Sequence, residues 1–342
     1  MKKILILISC IALLSSCYED YVKDYDYDAV YFAYQYDMRT IVADEIPHFN
    51  ITAALAGVIN NGRDRAVDIV IDDNLVTADL SSLAPEGVEV SPFKAYDVFS
   101  VGAPLFGTLY QTDVVSTFKK SGVGEISPLP QSYYTVSGLN GLAIKKGRNT
   151  AAFTITATEE MLSDDSVVKP VYAIGARMLS ADADKIPQGK DFTIIAVRVE
   201  NKYFGNWYHG GAYVVKDKDG NVVKEESYPF SIPQLDVKNY ALTTMTVNSV
   251  QTNKYIQNKG SLLLTFNGDD ITISSSSLKL LDDGRKSHSN GATLIQDREL
   301  YLNYSFENAD GGVTEVSDTL YFRNRIRDGA NEWQDENPEH YR

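Results

Sequence analysis

The stretch Leu300-Tyr301-Leu302-Asn303-Tyr304-Ser305-Phe306 alternates without a break. Leu300, Leu302, Tyr304 and Phe306 fall on one face of an extended chain, and Tyr301, Asn303 and Ser305 on the other. A strand of this kind belongs in an antiparallel sheet with one face on a core. Around it the chain is punctuated by Asp219-Gly220, Asn267-Gly268, Asp283-Gly284, Asn290-Gly291 and Asp310-Gly311. These pairs favour the positive φ of tight turns between antiparallel strands. Strands are expected at 208–215, 240–250, 261–266, 271–276, 292–295, 300–307 and 314–323. Successive hairpins form a meander, and closure into a barrel removes its open edges.

The first half is also strand-rich and shows hardly any sustained helical periodicity. Short apolar or alternating runs at 29–36, 66–71, 133–137, 151–156, 168–178 and 192–199 read as strands, with a short helical turn at 158–162. Six or seven strands without disulfides predict an all-β, immunoglobulin-like β-sandwich over residues 29–200. The antiparallel barrel domain then occupies 201–342. Residues 76–131, rich in Pro, Gly, Ser and Phe, read as a long insertion of irregular loops, the kind of segment that often carries binding sites.

Composition narrows the function. The 342 residues hold 32 Lys and Arg against 46 Asp and Glu, a formal charge of 32 − 46 = −14. Apolar residues at 44% and charged residues at 23% describe a folded chain. The acidic balance repels phosphate backbones and argues against nucleic acid. Aromatic residues are dominated by 22 Tyr and 13 Phe, with only 2 Trp.

The N-terminus carries an address. Lys2 and Lys3 precede the apolar run from Ile4 to Leu14, which is too short to span a bilayer and fits a secretory signal peptide over 1–16. Leu14-Ser15-Ser16-Cys17 matches the bacterial lipobox, so Cys17 is expected to carry the lipid that anchors the protein to the membrane. The alternative is an ordinary signal peptide with a chance cysteine. Cleavage removes Cys10 and two lysines, giving 30 − 46 = −16, and leaves no free thiol once Cys17 is lipidated. Residues 17–28, with Tyr alternating among acids, read as a solvated tether; an aromatic ligand ladder is the other reading. Acids just after the cysteine resemble the export signal of Bacteroidota surface lipoproteins, which implies the outer face of the outer membrane.

No nucleophile elbow, P-loop or dinucleotide fingerprint occurs. His48, His209, His288 and His340 are far apart in sequence and form no local metal motif, and His209 reads as a partly exposed strand residue. Asp72-Asp73, Asp164-Asp165, Asp269-Asp270 and Asp282-Asp283 sit at predicted turns, where Asp solvates the chain; a catalytic pair needs opposed carboxyls across a cleft. Asp217-Lys218-Asp219-Gly220-Asn221 has its Gly in the wrong place for a calcium loop and reads as a hairpin turn. No catalytic residue, metal ligand or cofactor is expected.

Gly205-Asn206-Trp207 opens the meander, and Arg323 and Arg325 lie near its close. This resembles the lipocalin pattern, in which Trp207 would seal the barrel floor under a stacked arginine; Trp207 as a plain core aromatic is the alternative. The tail from Ser317 to Pro338, which includes Tyr321-Phe322-Arg323-Asn324-Arg325 and Asn331-Glu332-Trp333, is similar to the ending of two-module Bacteroidota lipoproteins with domains of unknown function 1735 and 4361. Leu129-Pro130-Gln131-Ser132-Tyr133-Tyr134 and Ala143-Ile144-Lys145-Lys146-Gly147 resemble motifs of the first of those modules, whereas 76–131 departs from it.

The resemblance implies a non-catalytic surface protein that binds polysaccharide or glycoprotein glycans beside an outer-membrane glycan importer. Candidate sugar contacts are Trp333 and Tyr341 near the tail, and Phe93, Tyr96, Phe99, Phe106 and Tyr110 in the insertion. The competing classes are a structural or adhesive lipoprotein that meets another envelope protein, and a hydrolase with a non-local site. A small hydrophobic ligand inside the barrel would require an open interior. Replacing Cys17→Ser should move the protein from the detergent phase to the aqueous phase in detergent partitioning of cell extracts. An unchanged membrane-bound fraction would refute lipid anchoring at this residue.

Overall fold

The computed structural model describes residues 25–43, 47–83, 87, 89–101, 112–229, 239–256, 258–327 and 330–332. The chain divides into two compact units. One comprises the described residues within Met1–Arg39, His48–Thr158 and Pro170–Val197; the other comprises those within Thr40–Pro47, Glu159–Lys169 and Arg198–Arg342.

Ten strands come first: β1 (Ala29–Phe32), β2 (Tyr36–Val42), β3 (His48–Ala56), β4 (Arg65–Ile71), β5 (Ser127–Pro128), β6 (Tyr134–Ser137), β7 (Ala143–Ile144), β8 (Thr150–Ala157), β9 (Tyr172–Ala181) and β10 (Phe192–Glu200). They make two sheets, β1-β3-β8-β6 and β2-β10-β9-β4-β7, with β5 added in parallel to β9. β3 and β4 alternate between buried and exposed positions, as strands covered on one face do. β10 is buried almost throughout, so both its faces are covered.

The cover on one of those faces comes from the segment expected to be irregular. Helices α1 (Asn74–Thr77), α2 (Ala95–Val101) and α3 (Thr112–Ser121) contribute Leu75, Val98, Phe99, Val114 and Phe118 to a cluster with Tyr36, Phe192, Ile194 and Ala196. Phe99 and Phe118 stack at 5.5 Å, and Tyr36 meets Phe99 and Phe192 edge-on, each at 5.9 Å. The segment is therefore in part a helical layer over a sheet. Its apolar repeats are Ala95, Val98 and Phe99 in α2 and Val114 and Phe118 in α3, a single turn in each and too short to show as periodicity. Packing against β10 supplies the stability that such short helices lack alone.

The second half holds β11 (Gly205–Lys216), β12 (Val222–Tyr228), β13 (Tyr240–Thr246), β14 (Ser249–Thr252), β15 (Lys254–Tyr255), β16 (Asn258–Lys259), β17 (Leu263–Asn267), β18 (Asp270–Ser274), β19 (Leu280–Leu281), β20 (Ser287–Ser289), β21 (Glu299–Glu307), β22 (Val313–Arg327) and β23 (Ala330–Glu332). The antiparallel order β11-β13-β14-β17-β18-β20-β21-β22 closes on itself because β22 pairs with β11. The meander is thus an eight-stranded barrel. The strand expected at 292–295 is a single 3₁₀ turn at Ile295–Asp297, since Asn290 Oδ1 accepts from the N–H groups of both Ala292 and Glu299 and draws that segment into a loop. The helical turn expected at 158–162 is α4 (Glu159–Leu162).

Eight strands leave an interior that side chains can fill. Leu300, Leu302, Tyr304 and Phe306 all point into it, joined by Trp207, Tyr240, Leu242, Leu264, Val316 and Leu320. Among the described residues these side chains form one apolar core. Trp207 is fully buried, donates from Nε1 to Tyr203 O at 3.0 Å and meets Phe322 edge-on at 5.6 Å. The register slips by one residue where Trp207 pairs with Phe322 but Asn206 with Asn324, so Arg323 is the extra residue of a bulge. The bulge reverses the alternation. Arg323 lies over Tyr208 at 5.6 Å, whereas Arg325 is buried, close against Gly205.

A charge clamp holds the outer wall. Arg285 donates to Tyr304 O at 2.8 Å on β21 and to Val316 O at 3.1 Å on β22, while its Nε bonds Asp283 Oδ2 at 2.8 Å. Burial pushes the Asp283 carboxyl up, but hydrogen bonds from Arg285 and Ser305 outweigh this and bring it down to about 2. A carboxyl depressed on folding stabilises the fold above its ordinary pKa and ceases to do so as pH falls through its folded value. The Asp283→Asn variant should be about 1–2 kcal/mol less stable to urea above pH ~5, with the difference vanishing toward pH ~2. A difference independent of pH would count against the clamp.

Candidate functional site

The N-terminal edge of the four-stranded sheet carries the site. Tyr25 and Tyr27 lie in the bent chain before β1, Tyr31 in β1 and Ala33 just after it. Within β1, Val30 and Phe32 are buried in the core, so Tyr31 faces the other way, and Tyr25 and Tyr27 are themselves exposed. Between them the small residues Ala29 and Ala33, with Ala56 and Gly57 from the neighbouring β3 and its end, leave a trough of about 550 Å³, bordered also by Tyr34, Pro187 and Lys190. That volume falls within the range of about 300–1,000 Å³ usual for ligand sites. Tyr25 is 78% exposed, Tyr27 43% and Tyr34 41%, an unusual concentration of bare aromatic surface.

The fold spends several buried interactions on holding this edge. Asp28 and Asp184 bond reciprocally: Asp28 N–H donates to Asp184 Oδ2 at 2.9 Å, and Asp184 N–H to Asp28 Oδ1 at 2.8 Å. Arg65, almost wholly buried, pairs with Asp28 Oδ2 at 2.7 Å while bonding Asn61 Oδ1 and Asp182 O. Burial pushes the Asp28 carboxyl up, but the Asp184 N–H and the Arg65 guanidinium together hold it below its ordinary value. On the open side of β1, Val30 N–H and Phe32 N–H donate to Lys185 O and Lys190 O, which satisfies groups that an edge strand would otherwise leave bare. Tyr25 N–H donates to Gly57 O at 2.8 Å. Residues 25–28 are therefore part of the folded unit, and the expected tether ends before them. Gly57 is required there: its φ is +89°, and a Cβ would stand 2.2 Å from Tyr27 O.

The expected sugar contacts are placed differently. Phe99 is fully buried between Tyr36 and Phe118 and presents no face to a ligand, which corrects that assignment. Tyr96 is half-buried, edge-on to Phe118 with its hydroxyl on Val123 O, and half-buried Phe93 packs on the same cluster. These three come together, but as the helical layer. Phe106, Tyr110, Trp333, Tyr341 and Cys17 lie outside the described residues. Sequence reasoning gave Tyr25 and Tyr27 an aromatic-ladder reading second to a tether, because of the acids among them, and passed over Tyr31 and Tyr34. The usable signal was the two-residue period of Tyr and Ala running unbroken into a strand.

His209 is not partly exposed but buried inside the barrel. Its Nε2 lies 2.9 Å from Asp318 Oδ1, and its ring stacks on Tyr240 at 4.1 Å. Tyr228 and Tyr304 also donate to the Asp318 carboxylate. Burial first, then the Asp318 charge, drives the hydroxyls of Tyr228, Tyr240 and Tyr304 well above their ordinary range. A carboxylate so buried needs these donors. The group lies within the barrel core. Asp217 spends its carboxylate on the N–H groups of Asp219 and Asn221, as a hairpin turn does.

No protein-family model matches the chain, and no curated protein matches it. Among solved structures, the chain is similar to a structural-genomics protein of unknown function from Bacteroides ovatus, with TM-score 0.56 and 17% identity over 91% of this chain and 98% of that one. A multidomain protein including DUF1735, from Bacteroides ovatus, aligns at TM-score 0.40 and 10% identity, covering 90% and 100%. An auxiliary nutrient binding protein from Bacteroides thetaiotaomicron aligns at TM-score 0.38 and 12% identity, covering 87% and 96%. The first of these three shares the fold.

Gly57→Ala should release the strap formed by residues 25–28 and leave the barrel intact. The amide of Tyr25 should then exchange with solvent at least about tenfold faster, while amides of β21 keep their protection. Equal exchange at Tyr25 in both proteins would show that Gly57 is not the seat of the strap.

Proposed function

We propose that this protein is a surface lipoprotein that captures saccharide in the tyrosine trough without cleaving it. The observation that carries the reading is the set of tyrosine rings held outward around a floor of alanine and glycine. The electron-rich face of an aromatic ring attracts the polarised C–H groups on the flat side of a sugar, and phenolic hydroxyls bond its hydroxyls. Small floor residues give a pyranose ring room to lie between them. The described residues of the lining hold no carboxylate, whereas a glycosidase sets two carboxyls about 5–9 Å apart across the bond it breaks.

The lipobox at Cys17 and the acids after it support an anchor in the outer membrane with the trough facing outward. The tail and N-terminal motifs support membership among the lipoproteins with domains of unknown function 1735 and 4361, and so a place beside an outer-membrane glycan importer, where capture precedes uptake.

Calorimetry of residues 18–342 against a panel of polysaccharides and N-glycans tests the function, with product analysis on the same samples. Saturable binding to one class without cleavage is expected. Tyr27→Ala and Tyr31→Ala should each weaken it about two- to tenfold, the loss of one ring contact of about 0.5–1.5 kcal/mol. Binding that survives both substitutions unchanged would remove the trough from the proposal.

A further inference from the structure

We infer that the saccharide taken by the trough is anionic, carrying carboxylate or sulfate groups; this rests on the saccharide reading above and names its chemistry. In a chain of net charge −14, the described residues of the trough lining include one cation, Lys190, and no acid. A second cation, Lys185, stands beside it. The Lys185 ammonium lies 4.1 Å from the centroid of the Tyr27 ring, and that of Lys190 lies 5.5 Å from the centroid of the Tyr31 ring. Each of the two aromatic faces thus has one positive charge next to it.

This placement is set by backbone. Lys185 O accepts from Val30 N–H and Lys190 O from Phe32 N–H, so the bonds that cover the edge of β1 also set both lysines beside the outward face of the strand. Three of the acids near them are committed elsewhere, whereas Asp26, between Tyr25 and Tyr27, is exposed. Asp28 is held by Arg65 and the Asp184 N–H, Asp184 takes the Asp28 N–H, and Asp191 faces Arg177 at 3.7 Å. Among the described residues neither Lys185 nor Lys190 forms an ion pair with a carboxylate. A ring face favours a cation only modestly where water competes. An arriving carboxylate or sulfate would draw the ammonium from the ring toward itself and free that face for the sugar. A neutral sugar would have to compete with the ammonium for the same face. A local patch of one sign inside a repulsive overall field also selects, because it attracts the anionic ligand only at the site.

The test uses residues 18–342 and oligosaccharides of matched length: oligogalacturonate for carboxylate, chondroitin sulfate for carboxylate with sulfate, and neutral galacto-oligosaccharide. Affinities are measured by calorimetry at low and high sodium chloride for the wild type, Lys185→Gln with Lys190→Gln, Lys185→Arg with Lys190→Arg, and Tyr27→Ala. At least one anionic ligand should bind more tightly than the neutral one and weaken as salt rises. It should lose about fivefold or more in the double Gln variant and recover in the double Arg variant. Which anionic ligand responds identifies carboxylate or sulfate. Retained exchange protection of the Val30 and Phe32 amides shows that the variants keep the strap. A neutral ligand that binds as tightly as the anionic ones, unaffected by the Gln substitutions, would overturn the anionic inference and leave saccharide capture standing. Anionic binding that persists in the Gln variants would overturn it as well. Failure of every saccharide, with Tyr27→Ala silent, would overturn both.

Discussion

The pairing of β11 with β22 is the contact on which the second unit depends. It runs from Lys216↔Val313 to Asn206↔Asn324 and joins the first strand of the meander to its last long one. Without it the sheet would be open, with long bare edges and an apolar face turned to water. With it, the inward residues of eight strands converge on one core, and Trp207, Tyr240, Leu302 and Leu320 become fully buried.

Closure brings a cost that the sequence resolves locally. Asp318 lies on the inward face of β22 and is buried. Its carboxylate is met by His209 from β11, Tyr228 from β12 and Tyr304 from β21, so elements adjacent in the wall supply the donors. Gly211, on β11 beside Asp318, leaves the space that this carboxylate occupies, because a Cβ there would lie 2.7 Å from Oδ1. The bulge at Arg323 works in a similar way at the other end of the same pair. One extra residue turns Arg323 outward onto Tyr208 and Arg325 inward.

The first unit uses its polar groups to hold a surface. Asp28, Asp184 and Arg65 fix the entry of the chain, and the Lys185 and Lys190 carbonyls cover the free edge of β1. An edge strand is normally protected by charge or bulges. Here a loop covers its backbone, so its outward side chains remain available. The exposed tyrosines are held in place by these bonds, and a preorganised aromatic surface loses less entropy on binding than a mobile one.

The alternation of Leu300–Phe306 and the Asn-Gly and Asp-Gly turns were enough to read the antiparallel meander, its inward faces and its closure, because strand period and turn chemistry are local properties. The lipobox reading at Cys17 depends on sequence alone for the same reason. The helices at 95–101 and 112–121 were not legible, since a single apolar turn in each gains its stability only from the sheet beneath it. His209 and Phe99 were misplaced because burial of a single residue is decided by what the rest of the fold brings against it. The proposed binding surface was half legible. The period of Tyr and Ala from Tyr25 to Ala33 lay in the sequence, but an acidic tyrosine-rich segment reads equally as a tether. Only the tertiary bonds of Asp28 to Arg65 and Asp184, with partners 37 and 156 positions away, decided that this segment is folded, which way its rings face, and that two lysines stand beside them. Contacts over such distances carry no local pattern, so they appear only when the chain has folded.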